Sequence, residues 1–177
     1  MICRFSLLLG LLALPAHADL MLTSPDFADG ATLPEAQVLS GFGCTGGNLS
    51  PALSWSGAPE GTQSFILTLY DPDAPTGSGW WHWTVANIPA GVTELPAGAS
   101  PDTLPAGAVE GRTDFGSLGY GGACPPEGAA PHRYVFTLYA MPEASLPLDA
   151  GSSGAMVGFY AHAMALDRAE LTVTYGR

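Results

Sequence analysis

Arg133-Tyr134-Val135-Phe136-Thr137-Leu138-Tyr139-Ala140-Met141 is the stretch that decides the fold class. It has the length of a strand and is rich in β-branched and aromatic residues. Side chains alternate across a strand, so Tyr134, Phe136 and Leu138 share one face while Val135, Thr137 and Tyr139 share the other. Both faces are largely apolar, which suits a strand placed centrally in a sandwich with cover on both sides.

Four more short apolar runs are bounded by turn residues and read as strands: Gln37-Val38-Leu39, Ala52 to Trp55, Ser64 to Tyr70, and Trp80 to Asn87. Long Gly- and Pro-rich loops separate them, at Gly41 to Pro51, Asp71 to Gly79, Ile88 to Pro105 and Gly111 to Pro131. Loops of such length are usually functional. One helix is expected from about Ser153 to Asp167, with Ser152 or Ser153 as N-cap and an apolar stripe of Met156, Val157, Tyr160, Ala163 and Met164. A last strand, Leu171 to Tyr175, follows it. The fold class is therefore mostly β, a two-sheet antiparallel β-sandwich with a C-terminal helix.

Composition supports this reading. Of 177 residues, 47% are hydrophobic and 12% charged, which excludes charge-driven disorder, and 23 Gly with 16 Pro argue against a helical bundle. Acidic residues number 16 against 5 basic ones, all arginine, for a formal charge of −11. No cationic surface is left to neutralise phosphates along a strand of DNA or RNA, so nucleic acid is excluded as the main partner.

Residues 1–18 differ from the rest. Arg4 supplies a positive start, Phe5 to Leu14 an apolar run, and Ala16-His17-Ala18 a small-x-small cleavage site, together the pattern of a secretory signal peptide. The run is shorter than the ~20 residues a membrane span needs, so no stable membrane insertion is expected. Residues 19–177 then form one domain, periplasmic or secreted, with two cysteines. In an oxidising compartment Cys44 and Cys124 pair as a disulfide more often than they serve as metal or catalytic groups. Two unpaired buried thiols are the other reading.

Gly41 to Gly46 has dinucleotide-binding spacing, but Gly47, Asn48 and Pro51 forbid the helix that motif requires, so no cofactor is expected. Asp71-Pro72-Asp73-Ala74-Pro75 places two carboxylates at the end of an apolar strand, as an Asx turn or as the orienting partner of a histidine. His82, within Trp80-Trp81-His82-Trp83, and His132 are the candidate partners. Alternation along that strand puts Trp81 and Trp83 on the face away from His82. Three chemistries compete: a metal held by Asp71, His82 and His132, a thiol nucleophile at Cys124, and an anion pocket. In the last, the histidines and the backbone N–H groups of Gly119 to Gly122, including Gly121 and Gly122, receive an oxyanion inside walls formed by Trp80, Trp83 and Tyr120.

Asp71 to Pro75, Trp80 to Trp83 leading to Asn87, Gly121-Gly122-Ala123-Cys124-Pro125-Pro126 and Pro131-His132-Arg133-Tyr134 resemble, in this order, the signature segments of the phosphatidylethanolamine-binding protein family. The bacterial Raf kinase inhibitor-like branch is the most similar. Supporting segments are Asn48 to Trp55, Gly111 to Gly116 and Thr174 to Arg177. The resemblance implies a cavity for a phosphate-like anion or phospholipid head group, contributed by Asp71, Trp80, His82, His132 and Tyr134 and rimmed by Asp73, Pro75 and the Gly121 to Pro126 loop. Ala123 departs from the proline usual between the glycines and the cysteine. Catalysis is not implied. A protein partner, as for an inhibitor, is the alternative function, and an Asp–His hydrolase a lesser one. Anion binding through the two histidines is expected to tighten as pH falls toward ~6.5.

Overall fold

The structure is a computed structural model that describes residues 19–177, and the leader expected over residues 1–18 lies outside the described residues. Strands form where β-branched and aromatic residues cluster: β1 Met21–Thr23, β2 Ser40–Gly41, β3 Cys44–Thr45, β4 Leu53–Ser56, β5 Ser64–Asp71, β6 Trp80–Pro89, β7 Glu94–Leu95, β8 Val109–Glu110, β9 His132–Met141 and β10 Asp167–Tyr175. One helix, α1, spans Gly154–Met164. An antiparallel sheet of order β10-β9-β5-β6-β8 packs on a three-stranded antiparallel sheet of order β1-β4-β7, and β2 and β3 form a small separate ladder.

The alternation read from the sequence of β9 is met on both faces. Tyr134, Phe136 and Leu138 join Phe65, Leu67, Leu69, Trp83, Val85, Leu53 and Trp55 in the core between the two sheets. Tyr139 and Met141 point the other way, into a second apolar layer with Ile66, Ala86, Val157 and Ala161 beneath α1. Burying these side chains drives the folding of both layers, at ~25 cal/mol per Å² of apolar surface. The middle strand is β5, however, with β9 next to it.

Three other expectations are corrected. Gln37 to Leu39 is not a strand: Glu35–Gln37 is a single 3-10 turn, and Val38 makes an isolated bridge to Ala123. The carbonyls of Glu35, Ala36, Val38 and Leu39 are taken instead by the amides of residues 46–49, so no ladder can form there. The helix ends at Met164, because the Leu166 amide bonds to Ala140 O at 2.8 Å and Asp167 already pairs with Ala140. Its buried face is Gly154, Val157, Gly158 and Ala161, whereas Met156 and Ala163 are exposed. Trp81 causes the rotation, since its ring lies against Gly154 and Gly158 and selects the side of the helix without bulky groups. Ser153 caps the helix as expected, its hydroxyl accepting the Met156 amide.

Strand register also moves a residue. Leu69 stands opposite Trp83 but Tyr70 opposite Trp81, which leaves His82 as the extra residue of a β-bulge. His82 and Trp83 therefore face the same inner layer: the His82 ring meets Tyr134 and the Trp83 ring meets Tyr120. Only Trp81 points away. The expectation that both tryptophans oppose His82 fails at Trp83, because the bulge breaks the period of two.

Candidate functional site

At one end of the sandwich, where β5 ends, β6 and β9 begin and the glycine loop passes, a cavity of about 200 Å³ opens to solvent. Asp71, Trp80, His82 and His132 line it, and Pro75, Pro125 and Pro126 form part of its rim. The end of β5 and the starts of β6 and β9 bring these residues together although Asp71 and His132 are 61 positions apart.

Each buried histidine is oriented by an oxygen acceptor behind it. His132 Nδ1 lies 2.7 Å from Asp71 Oδ2, and the carboxylate accepts the Nδ1–H. Asp71 is itself held, because its Oδ1 accepts the Asp73 amide at 2.8 Å. His82 Nδ1 lies 2.8 Å from Gly121 O and 3.1 Å from Gly122 O, and carbonyls only accept, so this nitrogen carries the proton. Both rings thus keep Nε2 as the nitrogen left for the cavity. Burial is the largest influence on His82 and lowers its pKa below 6.5, so the ring is neutral at neutral pH and its Nε2 accepts a hydrogen bond. His82's part in any pH-dependent tightening is thereby shifted below the ordinary histidine range.

The glycine loop does not supply the donors expected of it. The Gly121 amide donates to His82 O at 2.9 Å, the Gly122 amide to Asn48 Oδ1 at 2.8 Å, and the Tyr120 amide to Ser100 Oγ at 2.8 Å. Three amides of that loop are already satisfied, and its carbonyls are what act on the site. Gly122 must be glycine, since a Cβ there would collide with the Gln37 carbonyl, and at Gly121 it would meet the Phe115 ring at 2.7 Å.

Tyr134 does not line the cavity. It is buried in the inter-sheet core, with its ring edge-on to His82 at 5.2 Å, and supports that histidine from behind. Trp83 and Tyr120 are core as well: Trp83 Nε1 donates to Glu110 and the Tyr120 hydroxyl to Gln37 O. The aromatic wall is instead Trp80, Phe42 and Phe115. Phe115 lies 5.3 Å from the rings of Phe42, Trp80 and His82 alike. Its neighbour Asp114 places it, exchanging backbone and side-chain bonds with Trp81 on β6. Sequence reasoning gave Phe42 and Phe115 no role. The available signal was a large apolar residue beside glycine in a loop, with no strand period to send it into the core.

Asp73 does not touch the cavity but ties its rim to β9. Both of its oxygens engage Arg133, whose hydrogen bonds hold the Asp73 carboxyl down to about 2. Cys44 and Cys124 are joined in a disulfide with Cα atoms 6.0 Å apart, which removes Cys124 as a thiol nucleophile. Arg177 strengthens the same corner, donating to Pro125 O and Gly43 O. Ala123 is fully buried, and its carbonyl accepts the Leu39 amide, which joins two loops.

A two-layer antiparallel sandwich with one C-terminal helix and a small polar cavity at a strand end defines a binding-protein architecture, and comparison with known proteins identifies which. Residues 23–176 match the sequence profile of the phosphatidylethanolamine-binding protein family, and the chain belongs to it. The UPF0098 protein YbcL of Escherichia coli is 56% identical over 161 residues, covering 89% of this chain and 88% of the relative. The crystal structure of YbcL superposes with a TM-score of 0.88 over 90% of this chain and 99% of that one. YbhB of the same organism is 49% identical, covering 87% and 98% of the two chains. The Mycobacterium tuberculosis protein named "Putative lipoprotein LppC" is 40% identical over 79% of this chain and 64% of its own length.

Proposed function

We propose that this is an exported binding protein whose cavity takes a phosphate-type anion, either free or as a phospholipid head group. The observation that carries the reading is the pair of oriented imidazoles, each held through Nδ1 so that Nε2 is left for a ligand. Neutral His82 accepts from a protonated phosphate oxygen or an ammonium group. A proton on His132 Nε2 creates an imidazolium already paired with Asp71, a short and strong donor to an anionic oxygen. The cavity is smaller than the ~300–1,000 Å³ of drug-sized sites, which favours a head group over a whole lipid. Trp80 and Phe115 offer their faces to the apolar or cationic part of such a group. Local donors must outweigh the chain's negative charge, and charges beyond the ~8–10 Å screening length at physiological salt are largely screened.

Export is supported by the sequence pattern of residues 1–18, by the lipoprotein designation of LppC and by the disulfide, a bond characteristic of oxidising compartments. N-terminal sequencing of protein from the periplasmic fraction is expected to begin at Asp19. The reading assigns no chemical step, and the Cys124 sulfur lining the cavity is bonded to Cys44 and is not available as a nucleophile.

Calorimetric titration with phosphate and phosphoethanolamine tests the site. Binding is expected in the parent protein and is expected to fall at least tenfold in His82→Ala and in His132→Ala. Unchanged affinity in both variants would move the ligand elsewhere and leave a protein-binding role ahead.

A further inference from the structure

The tip of the β2–β3 ladder breaks a local rule. Ser40 pairs with Thr45 and Gly41 with Cys44, so Phe42 and Gly43 are the two central residues of a hairpin turn. Both have positive φ, 52° and 83°, the mark of a type I′ turn, which asparagine followed by glycine suits best. Elsewhere among the described residues the non-glycine positions with positive φ are Asn48 and Asn87, and asparagine tolerates that region. A bulky phenylalanine does not. Little burial is gained in return: Phe42 is 74% exposed, although its ring lies 5.3 Å from that of Phe115. Neither local propensity nor core packing accounts for an aromatic side chain at this turn.

What Phe42 does line is the histidine cavity. The turn is anchored beside it, since Cys44 is bonded to Cys124 and Arg177 donates to Gly43 O. The exposed ring is thereby kept at the cavity mouth, next to Phe115, which packs edge-on against Trp80 and His82. We propose that Phe42 is a specificity-determining residue of this cavity, selecting a phosphate monoester with an apolar organic group over inorganic phosphate. The proposal rests on the anion-pocket reading above: the histidines take the phosphate, and Phe42 packs on the ester group. Covering the ring with an apolar group removes its surface from water, a gain made only when such a ligand is bound, and backbone strain of this kind belongs at ligand contacts. The arrangement of charge selects an apolar group over a cationic one. Asp71, the one carboxylate among the described lining residues, is already engaged by His132 and by the Asp73 amide. Asp73 is taken up by Arg133, so neither carboxylate is left to pair with an ammonium group.

Calorimetric titration of the disulfide-bonded protein with inorganic phosphate, phenyl phosphate and phosphoethanolamine, in the parent, Phe42→Asn and Phe42→Tyr, tests the proposal. The parent is expected to bind phenyl phosphate about fivefold or more tighter than inorganic phosphate, and phosphoethanolamine with no such advantage. Phe42→Tyr keeps the advantage and Phe42→Asn loses it, while affinity for inorganic phosphate stays within about twofold in all three. Because asparagine suits the turn, Phe42→Asn is also expected to melt no lower than the parent, which a packing role for Phe42 would not allow. Binding of inorganic phosphate without an advantage for phenyl phosphate in the parent, a preference for phosphoethanolamine, or an advantage retained in Phe42→Asn would overturn this proposal alone. Failure of the parent to bind any of the three would overturn the anion-pocket reading and the proposal with it.

Discussion

Asp71 accepts the Nδ1–H of His132 at 2.7 Å while both groups are buried, so the end of β5 sets the tautomer of the first residue of β9. The carboxylate at Oδ2 keeps the proton on Nδ1 in the neutral ring and stabilises the imidazolium when Nε2 is protonated as well.

Asp71→Asn tests that role. An amide oxygen still accepts the Nδ1–H but carries no charge, so the variant loses the carboxylate that stabilises the imidazolium donating from Nε2. Phosphate affinity is expected to fall about tenfold or more even though a negative charge is removed near the anion, with a stability loss of about 1–3 kcal/mol. Paired calorimetric and urea-melt measurements check both numbers. Tighter phosphate binding in the variant would mean that Asp71 acts on the anion by repulsion alone.

His82 makes the folded state acid-sensitive. Burial lowers its folded pKa below the 6.5 of the unfolded chain, so the unfolded state takes up the proton first as pH falls. Its contribution is destabilising: stability is expected to decline as pH drops through 6.5 and to level off below the folded value. Asp73 acts in a lower window with the opposite shift. Its favourable contribution is present above 3.8 and is lost as pH falls toward about 2. Denaturation midpoints against pH should lose the upper slope in His82→Gln and the lower one in Asp73→Asn.

The Cys44–Cys124 bridge closes a segment with a sequence separation of 80. In the chain-entropy model that is worth about 4–5 kcal/mol. The Cys44→Ser/Cys124→Ser variant should melt at markedly lower temperature yet keep the loops adjacent, because Arg177 still bonds to Gly43 O and Pro125 O. Intact mass of the unreduced parent, with no thiol open to alkylation, confirms the bridge itself.

Gly154→Ala and Gly158→Ala separate packing from helix propensity. A Cβ at Gly154 collides with the Trp81 ring, whereas at Gly158 it approaches the far edge of that ring at 3.2 Å. Overpacking at Gly154 is expected to cost about 1–3 kcal/mol. At Gly158 the gain of about 0.5–1 kcal/mol from replacing a mid-helix glycine offsets the tighter contact, leaving little net change. Equal losses in thermal melts of the two variants would contradict the packing assigned to Trp81.

The sequence by itself determined the strand identities from β4 to β6 and β9, the helix with its Ser153 cap, the cysteine pair as a candidate bridge, and Asp71, Trp80, His82 and His132 as a polar and aromatic set. These follow from properties local to the chain: a period of two in apolar residues, turn chemistry, and histidine, carboxylate and tryptophan side chains placed at strand ends. Tertiary structure alone decided how the set is used. The bulge at His82 exists because β5 and β6 change register, the glycine loop acts through carbonyls because Asn48 and His82 O occupy its amides, and the buried side of α1 follows from the shape of Trp81. Phe42 and Phe115 reach the cavity from loops that have no periodicity to read. Each of these outcomes depends on a partner distant along the chain, such as the Asn48 that meets Gly122 across 74 positions, and pairing at that range is selected by packing and hydrogen-bond satisfaction over the whole fold.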